Sequence, residues 1–364
     1  ADRPTSELFP QEVERLLNED AKTMKDDPKQ SASACMIIMD DNHRLDEWLA
    51  YHYYVLNLRR LIVAVDPLSR TSPAAILQRW EPLINSTIWG DKDFSFAGTN
   101  GDWYAWNINN TAGMTGNYIK RQGLFYRDCA LRLRAEGRRW TFFHDADEYV
   151  TLYPKLVGAS SEEKMRQPGG VLGHILSLKA KEKVPVHYKN ICAIIPRILF
   201  GAMPSTDAQV QHNVPDELKP FAKQFETLRY RHHARIGDKA NTPAKAFMDV
   251  SQAPNRHAYS AHALIGADVC GSIWTFEADL VIHHYLGSWE YYSARPADPR
   301  RRVSPRDGQH RGRSHWEGRA FKSDVENVDR LRPWISGFWE RMGPKLAMHL
   351  LEPVGFMEPI LSQE

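Results

Sequence analysis

The stretch that decides the fold is Trp140-Thr141-Phe142-Phe143-His144-Asp145-Ala146-Asp147-Glu148-Tyr149. Three large aromatic residues in the four positions 140–143 suit a short buried strand, and His144 leads from them into an acid–alanine–acid triplet. Upstream, residues 118–136 read as a long helix closed by Gly137, so the order is helix, strand, acidic turn. The same order appears twice nearer the N-terminus. Residues 34–39 form an apolar run stopped by Asp40-Asp41-Asn42, and a helix follows in which Leu45, Trp48, Leu49, His52, Val55 and Leu56 recur at three- and four-residue spacing. Residues 61–65 form a second strand stopped by Asp66-Pro67, after which Ser72-Pro73 opens a helix to about Trp80. Alternating strands and helices predict an α/β fold, a mostly parallel (mixed) sheet flanked by helices. In such sheets ligands bind beyond the carboxyl ends of the strands. The acidic clusters at 40–42, 66 and 145–147 all fall there.

Farther along, residues 191–200, 245–250 and 280–285 read as strands, and 323–348 as a helical C-terminal extension. Residues 1–30, with Val13, Leu16 and Leu17 on one stripe, read as a helical stalk. The expected organisation is therefore a stalk (1–30), an α/β domain (31–295), and a basic loop followed by helices packed on that domain (296–364).

Composition narrows the function. The 364 residues carry 47 basic and 45 acidic side chains, a net charge of +2, too balanced for a general nucleic-acid binder. With 42% hydrophobic and 25% charged residues the chain is not disordered. No run approaches the roughly 18 apolar residues of a membrane span. Cys35, Cys129, Cys192 and Cys270 lack CxxC spacing, which argues against a zinc site and leaves one or two disulfides or buried thiols open. Asn85-Ser86-Thr87 and Asn109-Asn110-Thr111 are glycosylation sequons. The eleven tryptophans suit core packing first and sugar stacking second.

Asp145 and Asp147, one residue apart at a strand end, point the same way and can share a hard divalent cation, Mn2+ or Mg2+. Such an ion stabilises a departing diphosphate by Lewis-acid action. The plain alternative is a pair of turn aspartates.

The chain also resembles the family 92 glycosyltransferases. The resemblance rests on Asp41-Asn42 with Leu45-Asp46-Glu47-Trp48-Leu49-Ala50-Tyr51-His52, on Gln122, Cys129 and the 140–149 stretch. It continues through Phe200-Gly201, Lys245-Ala246-Phe247, His262 and His283-His284-Tyr285-Leu286-Gly287-Ser288-Trp289-Glu290, in family order over residues 34–295. It implies a GT-A fold and inverting, metal-dependent transfer of a sugar, often galactose, from a nucleotide sugar such as UDP-galactose to a glycan hydroxyl. It also implies a type II membrane protein of the secretory lumen, Golgi in particular, with a membrane anchor upstream of residue 1.

On that resemblance Asp147 is the direct metal ligand, Asp145 reaches the ribose or the metal through water, and His284 completes the metal shell. His283 points to the opposite face of the same strand. Asp41, Asp66, Arg121 and Gln122 are expected at the nucleotide, with helix capping the alternative for the two aspartates, and Lys245 at the diphosphate. An inverting transfer needs a general base, for which Asp207 and Glu277 are the candidates and Asp249 a third. Glu47 and His52 read as structural. Two other classes compete: a binuclear phosphoesterase using Asp40-Asp41-Asn42-His43, Asp145, Asp147, His283 and His284, and a non-catalytic glycan-binding protein.

Overall fold

The strands predicted from apolar runs are present, but the mixed α/β architecture has two sheets. The computed structural model describes residues 8–24, 26–94, 111–153, 158, 160–180, 191–201, 204–235, 237–241, 244–253, 270–272, 279–293, 313–319 and 331–352. Ten strands are assigned among them: β1 Ala32–Ile38, β2 Leu58–Val65, β3 Asn85–Trp89, β4 Trp140–Phe143, β5 Glu148–Leu152, β6 Cys192–Ile195, β7 Arg197–Phe200, β8 Lys245–Asp249, β9 Cys270–Ser272 and β10 Leu280–Tyr285. Seven form one sheet in the order β3-β2-β1-β4-β8-β6-β9, and β5-β10-β7 form a second. In the larger sheet β3, β2, β1 and β4 run parallel, while β8 is antiparallel to both β4 and β6. β1 and β2 are buried along nearly their whole length, as parallel strands covered on both faces must be.

The register brings the acidic strand ends together. Ile38 lies opposite Val65, and Cys35 opposite Phe143, so β2, β1 and β4 deliver Asp66, Asp40-Asp41 and Asp145 to the same edge. β8 runs the other way and starts there, with Ala246 opposite Phe143 and Lys245 just before it. The smaller sheet begins where the larger ends. Glu148 N–H donates to the Asp145 carbonyl at 3.2 Å, a tight turn that sends the chain from β4 into β5.

Residues 191–200, expected as one strand, are two: Pro196 separates β6 in the larger sheet from β7 in the smaller. Proline supplies no ladder donor, and its carbonyl accepts from Ile282 N–H of β10 instead.

Helix Asn42–Leu56 joins the sheets. Every residue from Arg44 to Leu56 is buried, more than an amphipathic stripe allows, so neighbours lie on all sides. Its polar groups find partners across the core: Trp48 Nε1 donates to the Glu148 carbonyl at 3.1 Å and Tyr51 Oη to the Val150 carbonyl at 2.9 Å. Helices Pro333–Met342 and Pro344–Leu351, separated at Gly343, pack against it. The expected stalk does not project. Helix Leu8–Thr23 buries Val13 and Leu16 in the main core cluster, and Asp20 accepts from Tyr53 (3.0 Å), Arg59 (2.5 Å) and Arg341. That cluster runs from Val13 to Leu351, so the three expected segments share one core.

Cys35 of β1 and Cys129 of helix Thr111–Ala135 form a disulfide. Cys192 is disulfide-bonded as well, and its register neighbour across β6 and β9 is Cys270. Among the described residues no helix is long and apolar enough to cross a membrane.

Candidate metal and anion site

The β4–β5 turn places Asp145, Asp147 and Glu148 at the junction of the two sheets, and β10 supplies the facing histidine. His284 lies opposite Glu148 in the antiparallel β5/β10 pair, and Tyr285 N–H donates to the Asp147 carbonyl at 2.9 Å. His284 Nε2 is 3.5 Å from Asp147 Oδ2, and Nδ1 is 3.2 Å from Glu148 Oε1. One ligand atom from each of Asp147, Glu148 and His284 fits within 4.8 Å of the others. Asp145 Oδ1 and Asp147 Oδ1 are shielded from solvent and accept no hydrogen bond. Such oxygens suit a hard cation, and neutral imidazole completes an ordinary Mn2+ set. With its proton on Nδ1, His284 donates to Glu148 and turns the Nε2 lone pair toward Asp147. This is the carboxylate–histidine–metal relay seen in metal sites generally. Arg197 Nη1, 2.9 Å from Nδ1, favours the other tautomer, so a cation at Nε2 would select between them.

Strand alternation separates the two histidines as expected. His283 is buried on the other face, its ring 4.5 Å from Phe200 and its Nδ1 3.5 Å from Tyr285 Oη.

Three cations surround the carboxylates. Lys245, fully buried, is 2.6 Å from Asp145 Oδ2 and 3.3 Å from Glu148 Oε2. Burial pushes its pKa down, but those two carboxylates outweigh burial and hold it well above the ordinary lysine value. Burial likewise pushes Glu148 up, and Lys245 with His284 brings it far below the usual carboxylate range. Arg44 bridges Asp147 Oδ2 at 2.9 Å and Glu226 Oε1 at 3.1 Å. Burial pushes Glu226 up to about 8, and Arg44 opposes that shift. The carboxylates of Asp145, Asp147 and Glu148 face Lys245, Arg44 and Arg197, so a divalent ion would add positive charge to a site already lined by cations, the sign a diphosphate needs.

Lys245, Asp147 and Glu148 thus lie together beside His284. Asp41, Asp66 and Arg121 reach the same edge but are committed to the protein. Asp41 does not cap its helix; its Oδ2 accepts from Met39 N–H at 3.0 Å. Asp66 accepts from Leu68 N–H at 2.9 Å and pairs with Arg121 at 3.5 Å, while Arg121 Nε donates to Asp91 at 2.7 Å. Gln122 is buried and donates to Tyr126 Oη. Asp40, read only as part of a strand-end cluster, orders this rim. In left-handed backbone at φ 55°, it accepts through Oδ1 from Arg70 N–H, Thr71 N–H and the Thr71 and Ser69 hydroxyls.

Of the general-base candidates, Asp207 is exposed and pairs with Lys223 at 2.8 Å, contacting none of the cluster residues. Asp249 ends β8 at the opposite sheet edge, paired with Arg139. Glu277, His262 and the arginine loop through residue 312 lie outside the described residues. Glu47 is structural: it accepts from Glu226 N–H (2.6 Å), Thr227 N–H (3.0 Å) and the Thr227 hydroxyl, tying helix Asn42–Leu56 to the Glu226 segment.

Sequence reasoning missed Arg44, Glu226 and Arg197. Arg44 stands inside the quoted opening motif, directly before Leu45, and was legible only as a helix-start charge. Glu226 follows Phe225 in a stretch without periodicity, and nothing local marks it. Gly287 carries the signal that links them. At φ +76°, an added Cβ there would lie 2.5 Å from Arg44 Nη2 and 2.8 Å from Glu226 Oε1, so only glycine lets this turn close over the ion pair.

No protein-family model matches this chain, and no curated protein matches it either.

Proposed function

We propose that the protein is an inverting, metal-dependent glycosyltransferase that moves a sugar, galactose being the first candidate, from a nucleoside-diphosphate donor such as a UDP-sugar to a glycan hydroxyl. One observation carries the reading. Asp147, Glu148 and His284 converge at the carboxyl edge of an α/β sheet, with carboxylate oxygens that accept no hydrogen bond and with Lys245 and Arg44 alongside. When bound there, Mn2+ or Mg2+ would act as a Lewis acid toward the diphosphate. Asp147 and His284 would hold the ion, and Glu148 would fix the histidine tautomer. Lys245 and Arg197 would add positive charge as the diphosphate departs. In the transfer itself the acceptor oxygen forms a bond to the anomeric carbon. The bond from that carbon to the diphosphate oxygen breaks with its electron pair, and the acceptor proton passes to a carboxylate. The inverting outcome comes from the family 92 resemblance. The Cys35–Cys129 disulfide supports a secretory-lumen location, because such bonds persist in oxidising compartments.

The test is incubation with UDP-galactose and other UDP-sugars in the presence of Mn2+, reading donor hydrolysis, transfer and thermal shift. The expected result is Mn2+-dependent turnover that Asp147→Ala abolishes while its circular dichroism stays that of the wild type. Unchanged turnover in that variant, or no donor engaged at all, overturns the reading.

A further inference from the structure

The tryptophans sort into two groups. Eight of the eleven are among the described residues. Trp48, Trp80, Trp140 and Trp334 are buried in the main core, and Trp89 and Trp339 pack against core clusters. Trp289 and Trp316 belong to neither cluster and are only half-buried. They sit together, ring centroids 5.9 Å apart at 64°. Trp316 Nε1 donates to the Gly287 carbonyl at 3.1 Å, so the pair is anchored to the turn that follows His284 and covers Arg44 and Glu226. Trp289 keeps part of its surface in solvent, and Arg313, 63% exposed and paired with Glu317 at 2.9 Å, lays its guanidinium 5.5 Å from the centre of that ring. Glu290, the next residue, is exposed. Its carboxylate is held below its ordinary value by a backbone hydrogen bond at the helix start and by Ser288, and so stays an acceptor.

Two indole walls set at an angle, with an ionised carboxylate and a guanidinium at the rim, match the chemistry of a pyranose. Its C–H face packs on an aromatic ring, and its hydroxyls donate to carboxylates and accept from guanidinium. We infer that Trp289 and Trp316, with Glu290 and Arg313, form the subsite that holds the acceptor glycan beside the metal cluster. This deepens the transferase reading and rests on it for the word acceptor, while the glycan-binding claim stands by itself. The location supports it as well: only four residues separate Trp289 from His284, and Tyr291 stacks at 3.9 Å on His43, the neighbour of Arg44.

The experiment compares the full chain with Trp289→Ala and Trp289→Tyr on a broad glycan array, followed by titration of the best-captured oligosaccharide. In parallel, thermal shift is read with UDP plus Mn2+. The inference expects capture by the wild type, weakening of about tenfold or more in Trp289→Ala, near-complete recovery in Trp289→Tyr, and the same UDP–Mn2+ shift in all three. Equal affinity in Trp289→Ala, or no glycan captured, overturns the subsite. Trp289-dependent capture without any UDP–Mn2+ shift in the wild type upholds the subsite and removes the transferase reading.

Discussion

Arg44 is the residue on which the site's electrostatics turn. It is 3% exposed, with Asp147 on one side and Glu226 on the other. Removing a partner from a buried pair leaves a charge without compensation. Arg44→Ala is therefore expected to cost about 3 kcal/mol, the low end of the usual range because Asp147 keeps some water. Urea unfolding monitored by circular dichroism measures it. The same variant lowers the positive charge facing the carboxylates, so Mn2+, followed by calorimetry, should bind at least as tightly as in the wild type. Weaker binding would mean that Arg44 chiefly positions Asp147. Gly287→Ala tests the lid over the pair. Both the positive φ and the 2.5 Å approach to Arg44 oppose a side chain, and a loss of more than about 1 kcal/mol is expected. At this scale Asp145, Asp147 and Lys245 were legible, because they occupy strand ends and strand ends are visible as breaks in apolar runs. The arginines were not. A buried arginine and a surface arginine look alike until the fold surrounds one of them.

Among the elements, β1 and helix Thr111–Ala135 are joined covalently by Cys35–Cys129, 94 residues apart in sequence. Closing a loop that long restricts the unfolded chain, so Cys129→Ala should lose about 2–5 kcal/mol, seen as a lower urea midpoint than in the oxidised wild type. Reduction of the wild type should move its midpoint in the same direction. An unchanged midpoint would assign the stability of this helix to Phe125, Tyr126 and Leu133, which are buried in the same cluster. The strands of the parallel half could be read from the sequence because each is a short apolar run bounded by Asp, Asn or Pro. β3 and β5 could not. β3 is a half-exposed edge strand, Asn85-Ser86-Thr87-Ile88-Trp89, with little apolar contrast. β5 begins at Glu148, whose charge hides a fully buried strand residue held by Lys245. The break at Pro196 shows the same limit. Composition announces that a strand must stop, and only the pairing partners decide which sheet receives each half.

For the molecule as a whole, the joining of the two sheets depends on a core that buries ionisable groups, and this makes stability depend on pH. His52 and His144 are fully buried with rings 4.9 Å apart; His52 Nδ1 lies 2.8 Å from the Trp48 carbonyl, while neither nitrogen of His144 has a hydrogen-bond partner. Burial, reinforced by His144, holds His52 well below the ordinary imidazole value, and burial lowers His144 to about 4. The unfolded chain protonates both near pH 6.5, whereas the folded chain keeps them neutral to much lower pH. Between these limits the unfolded state binds more protons at these two sites, so their contribution to stability falls as pH drops below about 6.5, by about 1.4 kcal/mol per pH unit for each histidine fully titrating. A second loss follows at lower pH. Burial raises Asp249, yet hydrogen bonds from Ser251 and Arg139 hold it below its ordinary value, and its contribution disappears as pH falls through that depressed value. Glu47 and Glu226, raised by burial to about 7 and about 8, take up protons in the fold first and act in the opposite direction over the same range, so the histidine contribution is read by comparison: between pH 6.5 and 5 the urea midpoint of His52→Gln should decline less, or rise more, than that of the wild type. An identical pH dependence in the two proteins would mean that the histidine pair takes up protons inside the fold. Glu148, close enough to favour the charged form of His144, would then be their counter-ion, and the core joining the two sheets would carry positive charge.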